Sequence, residues 1–65
     1  MDIEKIKQKI DSLIEPYIER CQDKHQPIYT VINNRNIHIY PEFLNCLPIA
    51  IQELVIEAVN ELKQS

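Results

Sequence analysis

The chain has no glycine and no tryptophan, one phenylalanine and two cysteines among its 65 residues. Each scarcity excludes something. Without glycine there is no Gly-rich loop to cradle a phosphate and no strained elbow to present a nucleophile. With one phenylalanine and no tryptophan, the core must be aliphatic, and isoleucine dominates it. Two cysteines, Cys21 and Cys46, are too few for a disulfide scaffold, and the N-terminus lacks the charged-then-apolar pattern of a secretory signal. Reduced thiols and a cytoplasmic location are therefore expected. No apolar run approaches the roughly 20 residues that span a bilayer, so no membrane partner is expected. The net charge of −3, from seven basic and ten acidic residues, disfavours nucleic acid over the molecule as a whole but leaves room for a local basic strip.

What is present suits one small domain covering residues 1–65. Hydrophobic residues make up 45% of the chain, too many for disorder. A lone core of this size is marginal and usually needs help from a partner or a cross-link.

Residues 2–24 carry a helical pattern. Ile3, Ile6, Ile10, Leu13, Ile14, Tyr17 and Cys21 recur at the spacing of one helix face. Pro16 kinks that helix or splits it into two in line, because it lacks an N–H and crowds the preceding turn. Residues 28–40 form a β-hairpin. Ile28 to Ile32 is β-branched and aromatic, Asn33-Asn34-Arg35-Asn36 supplies the turn, and Ile37 to Tyr40 returns. A two-residue loop at 34–35 and a four-residue loop at 33–36 give the same facing. Ile28, Thr30, Ile32, Ile37 and Ile39 then share a core face, and Tyr29, Val31, His38 and Tyr40 share the other. Both helices should pack on the first face.

Pro41 stops the strand. Residues 42–47 form a short connection or single helical turn, and Pro48 opens a helix over 49–63. Ile51, Leu54, Val55, Ala58 and Leu62 line one face of that helix, and Ile56 and Val59 widen the stripe. The expected class is α+β, a helix–β-hairpin–helix (αββα). Its surplus apolar surface predicts a homodimer sharing sheets or helices, with Tyr29, Val31, His38, Tyr40, Ile56 and Val59 at the interface. A two-stranded sheet is marginal alone. The hairpin should be extended by another chain or by an irregular third strand.

The stretch Ile32-Asn33, Ile37-His38-Ile39-Tyr40-Pro41, Phe43-Leu44 and Leu54-Val55-Ile56-Glu57-Ala58-Val59-Asn60 resembles the C-terminal half of the YbaB/EbfC family of small nucleoid-associated proteins. The likeness covers about half the chain. Asn34 stands at the family's turn glycine and Tyr40 at its strand aspartate, and the hairpin is shorter. The resemblance implies the αββα fold, a dimer and sequence-tolerant binding of double-stranded DNA in the nucleoid.

Chemical signatures are sparse. Cys21 and His25 lie one helical turn apart, but Cys46 and His38 offer no second pair, and a structural zinc needs four ligands. No metal, cofactor or catalytic residue is expected. Projected at about 100° per residue, Lys5, Lys9, Arg20 and Lys24 fall on one edge of the first helix. Glu4, Asp11, Glu15 and Glu19 fall opposite, as a solvated acidic face. Such sorted edges serve either an antiparallel helix partner or phosphates. Two functions follow. One is a non-enzymatic DNA-binding dimer contacting phosphates through Lys5, Lys9, Arg20, Lys24 and Arg35. The other is a protein-interaction adaptor or regulator that binds no DNA.

Overall fold

The computed structural model describes residues 3–21 and 27–64. Elements follow in the order α1 (Ile3–Ile14), a 3-10 turn (Glu15–Tyr17), α2 (Ile18–Cys21), β1 (Tyr29–Ile32), β2 (Asn36–Ile39), α3 (Pro41–Cys46) and α4 (Ile49–Gln64). This is the expected helix–hairpin–helix, with the hairpin between the helices.

The first helix is interrupted as Pro16 requires. Pro16 lies at the start of the 3-10 turn, and the Ile18 amide donates to the Glu15 carbonyl before the α-helix resumes. The tighter turn keeps Tyr17, Ile18 and Cys21 half-buried against the same core as Ile6, Ile10 and Ile14, which are fully buried. Pro41 does more than end a strand. Tyr40 is extended, as a residue before proline prefers to be, and Pro41 opens α3 at its first position. The Phe43 and Leu44 amides donate back to the Tyr40 carbonyl, at 3.1 and 3.0 Å. The half-turn that follows buries Phe43 and Leu47. The Gln52 side chain then donates to the Leu47 carbonyl at 2.8 Å and fastens the start of α4 to the end of α3.

The hairpin register corrects the expected facing. Tyr29 pairs with Ile39, Thr30 with His38, Val31 with Ile37 and Ile32 with Asn36. The loop therefore has three residues, Asn33, Asn34 and Arg35. Asn33 and Asn34 both take positive φ, at 53° and 55°. The Arg35 amide closes the turn onto the Ile32 carbonyl at 3.0 Å. Two successive left-handed residues make the twist of a type I′ turn, which asparagine tolerates in place of glycine. Relative to a two- or four-residue loop, pairing shifts by one residue, and a one-residue shift turns one strand over against the other. Tyr29, Val31, Ile37 and Ile39 share one face and pack against the core, with Ile37 fully buried. Thr30, Ile32, Asn36 and His38 share the other, where Ile32 and His38 are exposed. Tyr29 and Val31 therefore do not sit beside His38 on one outward face.

Helix α4 packs on α1 through Val55, Ala58 and Leu62, which are buried, with Ile51 half-buried beside them. Leu54, expected on that seam, is exposed, because the buried stripe is narrower than the apolar one.

The cysteines also differ from expectation. Cys21 and Cys46 form a disulfide across 25 residues of sequence, with Cα atoms 5.6 Å apart. They are not reduced thiols. The chain returns through α3 so that its end meets the end of α2, and the Cα separation is ordinary for a bridge. No helix is long and apolar enough to cross a membrane, among the described residues.

Candidate interaction surfaces

The amphipathic spacing of α1 places a carboxylate edge toward the hairpin. Asp11 and Glu15 are one turn apart on that edge, and the hairpin enters beside them at Ile28 and Tyr29. Between these elements lies an open groove of about 550 Å3, with Ile14, Ile18 and Ile28 among its lining side chains and Asp11, Ser12, Glu15 and Tyr29 supplying polar groups. The Tyr29 hydroxyl donates to Asp11 Oδ1 at 2.9 Å. Partial burial pushes the Tyr29 phenol up to about 12, helped by its bond to the Asp11 carboxylate and by the nearby charges of Asp11 and Glu4. The outward-facing Tyr29 of the sequence reading hid this contact. Correct register was the missing signal, since it alone brings Tyr29 to the helix side.

The same groove reaches the start of β1 at Tyr29. The Tyr40 amide donates to the Ile28 carbonyl at 3.1 Å, which makes residues 28 and 40 a hydrogen-bonded pair. Alternation along an antiparallel ladder then turns the backbone groups of Tyr29 and Val31 away from β2. No third strand covers them among the described residues. On the opposite edge, alternation likewise turns the amides of Ile37 and Ile39 outward. The Ile37 amide is taken up by its neighbour, Asn36 Oδ1, at 2.9 Å. One edge is thus partly blunted, while no described residue pairs with the other.

The basic residues expected to meet phosphates stand on different elements, and one of them is already paired. Lys9 Nζ is held by Glu61 on α4, at 3.2 and 3.3 Å from the two carboxylate oxygens. Lys5 and Arg20 are exposed on the first helical arm, and Arg35 is exposed at the hairpin turn. Lys24 lies outside the described residues, as does His25, so the Cys21/His25 pairing is not described; Cys21 itself is committed to the disulfide.

Of the six residues expected at a dimer interface, His38, Ile56 and Val59 come together. They border a hollow of about 190 Å3 between β2 and α4, floored by Ile37, Ile39 and Leu44 and rimmed by Asn60 and Lys63. His38 meets Tyr40 edge to face, with ring centroids 5.2 Å apart. Tyr29 and Val31 belong instead to the half-buried inner face. No family model, no curated protein and no solved structure matches this chain.

Proposed function

We propose that this chain is a non-catalytic protein-interaction module that takes up an extended, basic segment of a partner protein along β1. One observation carries the reading: a groove of about 550 Å3, edged by Asp11 and Glu15, opens at Tyr29, where β1 begins, and no described strand pairs with β1 on the side away from β2. An added strand would satisfy the outward backbone groups of Tyr29 and Val31, and alternate side chains would enter the groove. The two carboxylates select arginine or lysine at those positions, and the half-buried Ile18 and Ile28 receive their aliphatic stems. The acidic net charge of −3 favours the same class of partner through long-range steering.

A second reading, binding of duplex DNA, keeps one specific support besides the resemblance. Lys5, Arg20 and Arg35 are exposed and form no ion pair with another described residue. The commitment of Lys9 to Glu61 weakens it.

One titration separates the two. A fluorescent peptide alternating arginine and valine should bind with a strong salt dependence, while its glutamate–valine counterpart should not. Asp11→Asn with Glu15→Gln should weaken binding at least about tenfold, as charge-assisted contacts are worth about twice neutral ones. Binding should also slow hydrogen exchange at the Tyr29 and Val31 amides. Equal affinity for the acidic peptide, or none at millimolar concentration, overturns the module. A duplex retarded at low salt, and released by Lys5→Glu with Arg20→Glu, carries the DNA reading instead.

A further inference from the structure

Helix α4 carries two seams. The first, Ile51, Val55, Ala58 and Leu62, faces α1 and the core. The second lies about 110° around the helix, taking about 100° per residue. It consists of Ile49, Ile56, Val59 and Lys63. These residues stand at relative positions 0, 7, 10 and 14, the a and d spacing of two heptads. Gln52, at the remaining d position, is turned back to the Leu47 carbonyl. Val59 rests half-buried against the core, but Ile49 and Ile56 stand outside it. Ile49 is 73% exposed and Ile56 46% exposed, two of the four large apolar side chains exposed among the described residues. Ile56, Val59 and Lys63 also line the hollow of about 190 Å3 bordered by β2.

The charges on this seam indicate what covers it. Lys63 ends the seam in the last turn of α4. Glu53 sits at its margin, ten residues earlier, or about 15 Å along the axis. A second copy running parallel would set Lys63 against Lys63. A second copy running antiparallel sets each Lys63 beside the other copy's Glu53, with Ile56 and Val59 of both chains at the centre. A two-fold axis requires such self-complementarity. We infer that α4 is the interface of a homodimer in which two copies of this chain pack antiparallel along Ile56 and Val59, locked in direction by reciprocal Lys63–Glu53 pairs. This surface lies away from the β1 groove and does not depend on the peptide-binding reading.

Sedimentation equilibrium on the full disulfide-bonded chain tests it. The wild type should show a reversible dimer whose melting temperature rises with concentration. Ile56→Glu should give a monomer with an unchanged helical circular-dichroism spectrum, because the side chain it replaces is half in solvent. Lys63→Glu should weaken the dimer at least about tenfold, and adding Glu53→Lys should restore it. Leu54→Glu, on the other flank of α4, should leave it intact. A wild type that stays monomeric at millimolar concentration overturns the inference. So does an Ile56→Glu protein that still dimerises, or a charge swap that fails to restore association.

Discussion

The Tyr29 hydroxyl illustrates how a single side chain joins stability to the candidate groove. Its donor bond to Asp11 ties the hairpin to α1 at the groove rim. The phenol is pushed up to about 12 by partial burial, then by the Asp11 bond and the carboxylate charges. A free tyrosine titrates near about 10. A folded state that holds its proton more tightly than the unfolded chain gains stability below pH of about 10. That gain is lost as pH rises through about 12. Urea unfolding followed from pH 8 to 12 should therefore show falling stability above about pH 10. Tyr29→Phe should flatten this stretch and cost about 0.5–1.5 kcal/mol at pH 8, the net worth of one hydrogen bond. A wild-type profile no steeper than that of Tyr29→Phe would mean that the hydroxyl does not couple the hairpin to the helix.

At the scale of the element, the hairpin loop decides which side chains reach the groove. Asn33 and Asn34 both hold positive φ, where a β-branched side chain collides with its own backbone. Asn34→Val should destabilise the protein by about 1–2 kcal/mol. Asn34→Gly should be neutral or stabilising by up to about 1 kcal/mol, both read from urea midpoints. Equal responses to the two substitutions would contradict a left-handed residue there. The same loop explains why the sequence led only part of the way. The isoleucine periods of both helices, the Pro16 interruption and the strand stop at Pro41 each follow from a local rule, so those elements were legible. Register was not. The polar stretch Asn33 to Asn36, three asparagines and Arg35, accommodates loops of two, three or four residues, and the three-residue loop reverses the facing. Both alternations contain apolar residues, so burial does not choose between them. Tyr29 consequently moved from an outward patch to the Asp11 groove. Leu54 moved the other way, because α1 covers only the Val55–Ala58–Leu62 side of α4.

For the whole molecule, the cross-link between Cys21 and Cys46 answers the problem of a core too small to stand alone. Among the described residues nine buried hydrophobic side chains form that core, few enough for the unfolded chain to compete. Linking positions 25 residues apart removes conformations from the unfolded ensemble. In the chain-entropy picture this stabilises the fold by about 3.5 kcal/mol. The bridge spans from the end of α2 to the end of α3 and so encloses the hairpin within its loop. Its reach across the chain is also why spacing did not reveal it: only the return through α3 brings the two positions together. Cys21→Ser with Cys46→Ser should lower unfolding free energy by about 2–4 kcal/mol in urea titrations, and dithiothreitol should do the same to the wild type without further affecting the double variant. The hairpin amides should lose more exchange protection than those of the α1–α4 pair, because the hairpin lies inside the cross-linked loop and α4 outside it. A reduced wild type as stable as the oxidised one would leave packing between α1 and α4 as the main support of the fold.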